Sequence, residues 1–125
     1  MQNTPFSFKT SIRSFRYAFT GISLLFKQER NARIHATVAI IVIISGVVLE
    51  ISVSEWIAVL FAIGSVLAAE AINSAIEHLA DFVSPGQQKL IGQAKDLAAG
   101  AVLLLAICAA IIGLLIFIPK LIPLL

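Results

Sequence analysis

The chain alternates between long apolar runs and short polar segments, and this pattern predicts an all-α integral membrane protein. Three apolar runs, at residues 34–53, 55–82 and 90–118, are each long enough to cross the hydrocarbon core of a bilayer as a helix. The first contains no charged residue over residues 36–49, and the third contains none over residues 97–118. We therefore expect three transmembrane helices.

Individual residues indicate where these helices begin and end. Ser54 is suited to cap the second predicted helix, and Trp56 is suited to anchor it at the outer interface. The segment 84–88 has the composition of a turn. Pro119 is expected to end the third helix, because proline lacks the backbone N–H that a helix interior needs.

The first part of the chain has a different pattern, which predicts an amphipathic helix on the membrane surface within residues 6–33. Apolar residues, mostly phenylalanines, recur every three or four positions over residues 6–27, and basic residues occupy the opposite face. Such a helix suits the headgroup layer of an anionic membrane. The alternative is an amphipathic helix packed on a soluble core, which is disfavoured because the chain offers no such core.

The composition supports a single membrane domain covering residues 1–125. Hydrophobic residues make up 59% of the chain, charged residues only 13%, and the mean hydropathy is +1.00. A soluble domain would carry about 25% charged residues. The single cysteine, Cys108, cannot form an intrachain disulfide and is expected to serve packing. No nucleic-acid partner is expected.

The distribution of basic residues predicts how the chain is oriented. Of the nine lysines and arginines, only Lys120 falls near the far end of the third apolar run. The others precede the first crossing or lie between the second and third. The positive-inside rule then places the N-terminus and the second loop in the cytoplasm.

A stripe of polar residues interrupts the second apolar run. Glu70, Asn73, Glu77 and Asp81 are spaced by three, four and four residues, which places them on one side of a helix. An ionisable residue at membrane depth is costly and marks a functional site that faces the bundle interior or water. We therefore expect this stripe to carry the chemistry.

Two further polar clusters reach the same cytoplasmic rim: residues 29–35, before the first crossing, and residues 92–96, at the start of the third. Glu29 and Glu77 would repel each other at close range unless a divalent cation lay between them. Mg²⁺ prefers oxygen ligands of this kind and usually brings a substrate phosphate. The two glutamates are therefore candidate metal ligands.

Basic side chains in these clusters are suited to bind a phosphate, namely Lys95, Arg30 and Arg33. Glu70 lies deeper and is suited to act as a general base toward a hydroxyl arriving from the lipid side. These features together predict phosphoryl transfer to a lipid alcohol. Because the chain contains neither a Walker A motif nor G-x-G-x-x-G, any nucleotide site is unconventional.

Each cluster also has a purely structural interpretation. Glu29 and Arg33 could form an ion pair within one helix, Lys95 and Asp96 could form an interfacial pair, and His35 is better explained as an ordinary interfacial residue. Another functional class is a small proton-coupled membrane transporter, to which an intramembrane glutamate is also suited. A third is a membrane subunit without activity. The transporter class does not explain why the polar residues gather at one face, and the inactive subunit leaves Glu70 and Asn73, deep in an apolar helix, unexplained.

The polar segments resemble the prokaryotic diacylglycerol kinase and undecaprenol kinase family of small bacterial integral-membrane lipid kinases. The resemblance is carried by residues 70–77, which read E-A-I-N-S-A-I-E, with Asp81, and by residues 92–96, which read G-Q-A-K-D. The segment Glu29-Arg30-Asn31, and the order of one surface helix followed by three crossings, extend it over nearly the whole chain.

The resemblance implies a homotrimer in the bacterial cytoplasmic membrane, with active sites shared between subunits. It implies ATP as co-substrate and Mg²⁺ as cofactor. Glu70 then corresponds to the general base, and Glu29 and Glu77 correspond to the metal ligands. The residues that correspond to the nucleotide pocket are Asn73, Asp81, Gly92, Lys95 and Asp96.

Two positions bear on the acceptor lipid. The diacylglycerol kinase branch typically carries an acidic residue at the position of His35 and a serine at the position of Ala99. Residues 29–35 are more similar to the undecaprenol kinase branch. The resemblance therefore favours undecaprenol as acceptor, with diacylglycerol as the alternative. The oligomer count and any exchange of helices between subunits stay open.

Overall fold

The computed structural model describes residues 7–86 and 88–125, and every regular element within these ranges is a helix. In chain order these are α1 (Phe8–Gln28), α2 (Arg30–Val48), α3 (Val53–Val83), α4 (Lys89–Leu121) and a short 3-10 turn (Ile122–Leu124). Three segments are long and apolar enough to span a membrane: Arg30–Val48, Val53–Val83 and Lys89–Leu124. The predicted all-α class is confirmed, and the three predicted crossings correspond to helices long and apolar enough to span a membrane.

α1 begins where Ser7 caps it, because Ser7 Oγ accepts a hydrogen bond of 3.1 Å from the backbone N–H of Thr10. It ends at Glu29, whose extended backbone separates it from α2. The predicted surface helix covered residues 6–33. Residue 6 lies outside the described ranges, and residues 30–33 belong to α2. The location of α1 on the membrane surface stays a prediction.

α2 ends in a Schellman turn, a tight C-terminal motif that reverses the chain toward α3. The backbone N–H of Ile51 bonds the carbonyl of Gly46 at 3.1 Å, and that of Glu50 bonds the carbonyl of Val47 at 3.3 Å. Glu50 takes the left-handed position of the motif, with φ of 53°. α2 therefore stops at Val48, five residues before the predicted crossing ends.

α3 begins with a capping box formed by Ser52 and Glu55. Ser52 Oγ accepts a bond of 3.2 Å from the N–H of Glu55, and Glu55 Oε1 accepts one of 2.9 Å from the N–H of Ser52. The prediction that Ser54 caps this helix is wrong, because reciprocal capping needs the carboxylate three residues after the cap. Trp56 packs its ring on Gly46, where a Cβ would lie 2.8 Å from the ring.

α3 and α4 pack against each other as an antiparallel hairpin with an ion pair at each end. Asp81 pairs with Lys95 beside the connecting turn. At the other end, Glu55 Oε1 lies 3.1 Å from Nζ of Lys120. The two pairs fix the register of the long helices at both ends of the hairpin.

The boundaries of the hairpin lie within one or two residues of the prediction, except at the end of α4. The predicted turn at residues 84–88 lies between α3 and α4, although Gln87 is outside the described residues. Pro119 does not end α4, which continues to Leu121. Membrane helices tolerate an internal proline because neighbouring polar groups and local adjustments satisfy the freed carbonyl.

Few side chains are buried within the single chain. The largest buried cluster lies where the α2–α3 connection meets the end of α4 and contains Ile51, Val59 and Ile116, with Trp56 against them. Most large apolar residues on α2, α3 and α4 are exposed in the single chain. The start of α2, the last turns of α3 and the first turns of α4 form the opposite end, called the polar end below.

Candidate active site

Glu70 is the buried carboxylate at the centre of the polar end. It lies on α3 with 2% of its surface exposed, and its Oε1 is 3.3 Å from Nε2 of His35 on α2. Removing a carboxylate from water is unfavourable unless a polar group meets it. His35 provides that contact, so the two helices are joined through the side chain predicted to act as base.

Glu29 reaches the same region from the break between α1 and α2. Ser74, one helical turn after Glu70, donates a hydrogen bond of 2.8 Å from Oγ to Oε1 of Glu29. Ser74 is itself buried. The carboxylates of Glu29 and Glu77 both lie close enough to repel the charge on Glu70. The fold thus places Glu29 and Glu77, the two predicted metal ligands, near the buried carboxylate of Glu70.

The donors gathered here have the chemistry that Mg²⁺ prefers. Glu29 and Glu77 offer carboxylate oxygens, and Oδ1 of Asn73 is buried with no hydrogen-bond partner among the described residues. Within residues 7–86 and 88–125, no three histidine, cysteine or acidic side chains converge closely enough to hold a metal ion. One chain therefore presents suitable oxygens without a complete set of ligands.

The ion pair of Lys95 and Asp81 lies farther out along α3. The side chain of Lys95 is 37% exposed and that of Asp81 is 65% exposed, so both reach solvent. Asp81 follows Glu70 by eleven residues, which is about 16 Å along a helix at 1.5 Å per residue. The ammonium group of Lys95 therefore lies farther along the polar end than the buried carboxylate and is accessible to solvent.

Three other predicted site residues are not joined to this group by side-chain contacts. Gly92 and Asp96 lie exposed in the first turns of α4. A Cβ on Gly92 would meet nothing within 4 Å. Arg33 is engaged elsewhere, since its Nη1 donates to the carbonyls of Phe26 and Lys27, at 3.0 Å each. It thereby caps the C-terminus of α1.

An apolar groove of about 350 Å³ lies between α2, α3 and α4 and leads to His35. Its walls consist of aliphatic, small and aromatic side chains, and His35 is the polar residue among those that line it. Leu67, at the same end of the groove, precedes Glu70 by one helical turn. The groove is therefore apolar along its length and polar where His35 meets Glu70.

Two residues of the site, His35 and Ser74, were not identified from the sequence. His35 was interpreted as an ordinary interfacial residue, although an ionisable group within a predicted crossing is by default a functional candidate. Ser74 lies four residues after Glu70 and thus on the same stripe. Both residues could therefore have been selected from the sequence. The sequence does not show, however, that His35 contacts Glu70 or that Ser74 contacts Glu29.

Comparisons with known proteins cover most of the chain. The family model described as prokaryotic diacylglycerol kinase matches residues 16–117. Undecaprenol kinase of Bacillus subtilis (strain 168) is 43% identical over 109 residues, which cover 87% of this chain and 89% of that protein.

Two diacylglycerol kinases are also similar to the chain. The diacylglycerol kinase of Synechocystis sp. is 38% identical over 112 residues, which cover 89% of this chain and 64% of that protein. The diacylglycerol kinase of Escherichia coli (strain K12) is 25% identical over 111 residues, which cover 89% of this chain and 91% of that protein. The similarity therefore includes both branches that the sequence resembles.

Proposed function

This chain belongs to the prokaryotic diacylglycerol kinase family, and from that premise we propose that it transfers the γ-phosphate of ATP to the hydroxyl of a membrane lipid alcohol. It is an enzyme, a lipid kinase, as are its relatives. The observation that carries the proposal is the buried carboxylate of Glu70, which contacts His35 at the polar end of an apolar groove. A hydrocarbon chain suits the groove, and a hydroxyl at its head suits the carboxylate.

Glu70 acts as the general base in this proposal. Its carboxylate is withdrawn from water, and the contact with His35 fixes the position of Oε1. It can therefore accept the proton of an alcohol that enters from the hydrocarbon side. Phosphoryl transfer depends on positioning and charge neutralisation more than on covalent chemistry by the protein. A base held in place beside a lipid groove meets the need for positioning.

Glu29 and Glu77 would hold Mg²⁺. When bound, the ion would neutralise charge on the phosphates of ATP. The proximity of these two carboxylates to Glu70 supports the assignment, because each repels the charge on Glu70 and a cation would relieve that repulsion. The buried Oδ1 of Asn73 also supports it, since it lacks a partner among the described residues.

Lys95 would bind the phosphates of ATP, exchanging its contact with Asp81 for them. Its exposure at the rim supports this role, because ATP arrives from water and the lipid does not. The contacts of Arg33 with the carbonyls of α1 support a structural role in place of phosphate binding. The remaining residues of the proposed nucleotide pocket are Asn73, Asp81, Gly92 and Asp96.

The assembly is proposed to be a homotrimer in which neighbouring subunits share each active site. Two features support sharing: one chain offers an incomplete set of oxygen ligands, and its membrane helices expose apolar side chains that a neighbour could cover. The bacterial cytoplasmic membrane is the proposed location, with the N-terminus in the cytoplasm. The concentration of basic residues at the polar end supports that orientation.

Undecaprenol is the favoured acceptor and diacylglycerol is the alternative. Higher identity to the Bacillus undecaprenol kinase than to the two diacylglycerol kinases supports this preference. The relatives described above are kinases, so they do not support a transporter function.

The test is phosphate transfer from labelled ATP by the purified protein in mixed micelles with Mg²⁺. Undecaprenol and diacylglycerol are offered in parallel, and the protein carrying Glu70→Gln serves as the inactive control. We expect a labelled lipid product, with the higher initial rate for undecaprenol. Absence of transfer to either lipid by folded, oligomeric protein would contradict the kinase assignment, and a higher rate with diacylglycerol would reverse the choice of acceptor.

A further inference from the structure

Ser74 has no role in the mechanism above, yet it is buried at the polar end and bonds a proposed metal ligand. We propose that Ser74 is a positioning residue that holds the carboxylate of Glu29 in place for cation binding. The inference rests on the proposed function, because it takes Glu29 to be a ligand of the cation.

The hydrogen bond of Ser74 differs from those of other hydroxyls in the helices. Thr20, Thr37 and Ser45 each donate to the backbone carbonyl four residues earlier, at 2.8–2.9 Å. This is the usual way for a helix to satisfy a hydroxyl locally. Ser74 instead donates to a carboxylate 45 residues away in sequence. Its hydroxyl therefore joins two segments of the chain.

Glu29 has no local anchor for its side chain. Its backbone N–H ends α1 by bonding Leu25 at 2.9 Å, and its carbonyl begins α2 by accepting from Arg33 at 3.3 Å. Its side chain makes no capping bond to α2. A glutamate side chain has several freely rotating bonds, and ordering it costs conformational entropy. The hydrogen bond from Ser74 orders the side chain of Glu29.

Ser74 is placed where an ordered Glu29 is most useful. It lies four residues after Glu70 and three before Glu77, one helical turn from each. Its bond therefore holds Glu29 near the buried carboxylate of Glu70, with which Glu29 shares the same sign of charge. Ser74 occupies Oε1, and a carboxylate accepts several bonds, so Oε2 can serve as a metal ligand. A carboxylate that is already held in position binds a cation more tightly than one that must first be ordered.

The experiment compares Ser74→Thr with Ser74→Val in the full-length protein in detergent. Threonine and valine have nearly the same shape, so the pair differs mainly in the hydroxyl. The first readout is the affinity for Mn²⁺, used as the probe ion in the presence of a non-hydrolysable ATP analogue and followed by its EPR signal. The second is the Mg²⁺ concentration that gives half-maximal turnover. Ser45→Ala is the matched control, because it removes a hydroxyl that bonds only its own helix.

We expect Ser74→Val to weaken Mn²⁺ binding about ten-fold and to raise the Mg²⁺ requirement to a similar extent, since a hydrogen bond to a charged group is lost. Ser74→Thr should stay near wild type, and KM for the lipid should change little in either variant. Equal Mn²⁺ affinities for Ser74→Val and Ser74→Thr would overturn the inference. A wild-type protein that binds Mn²⁺ but transfers no phosphate would contradict the proposed function and leave the Mn²⁺ comparison as the test of Ser74.

Discussion

The carboxylate of Glu70 and the imidazole of His35 meet between two membrane helices, with 3.3 Å between Oε1 and Nε2. The contact sets the direction of the carboxylate, and His35 also lines the groove between α2, α3 and α4. A base that must meet a lipid hydroxyl in a poorly hydrated place needs its orientation fixed by the protein, because water cannot support it there. The proposed base and its orienting group thus come from different helices.

Replacing Glu70 with glutamine tests the role of the base. Glutamine keeps the size of the side chain and a hydrogen-bonding oxygen but cannot take up the proton. We expect kcat to fall by about 10²–10⁴-fold, whereas binding of a fluorescent ATP analogue stays within about two-fold of wild type. The two quantities are measured on the same detergent preparation. Turnover close to that of wild type would exclude Glu70 as the base.

Replacing His35 with alanine should leave Glu70 in place but unoriented. Because a hydrogen bond to a charged group contributes about 1.5–3 kcal/mol, we expect kcat to fall roughly 10–100-fold. His35→Gln, which can still donate to the carboxylate, should recover part of the loss. Thr37→Ala is the control, since its hydroxyl bonds the carbonyl of Arg33 in the same helix. A fall in kcat that is equal for alanine and glutamine would argue against the orienting role.

Replacing Glu77 with glutamine should raise the Mg²⁺ requirement sharply. The amide keeps one oxygen donor but loses the negative charge that attracts the cation. We expect the Mg²⁺ concentration for half-maximal turnover to rise at least ten-fold. Saturating Mg²⁺ should restore part of the lost activity. Glu50→Gln, at the opposite end of the bundle, is the control for a general effect of charge. An unchanged metal titration curve would contradict the ligand role.

Replacing Glu50 with glycine should stabilise the folded chain. Glu50 holds a φ of 53°, which disfavours a residue with a Cβ by about 1 kcal/mol relative to glycine. We expect the free energy of unfolding to rise by about that amount, seen as a higher midpoint of thermal unfolding in detergent. Glu50→Ala separates the two possible causes, because it removes the carboxylate and keeps the Cβ. An equal gain from alanine would show that charge, not backbone conformation, is responsible.

Much of this protein can be predicted from local sequence pattern. The number of membrane helices follows from apolar runs long enough to cross a bilayer, because lipid leaves the backbone few other ways to satisfy its polar groups. The stripe from Glu70 to Asp81 follows from the fixed period of a helix. Helix ends were predicted less well. The start of α3 was misplaced although Ser52 and Glu55 form an S-x-x-E capping signature, and α4 continues past Pro119 because a membrane helix can accommodate a proline.

What the sequence alone determined is therefore the set of helices and the residues capable of chemistry. The tertiary structure decided which of those residues meet: His35 with Glu70, Ser74 with Glu29, and Arg33 with the end of α1. Such contacts depend on the rotation and depth of each helix relative to its neighbours. These are set by packing between segments distant in sequence, and no local periodicity contains that information.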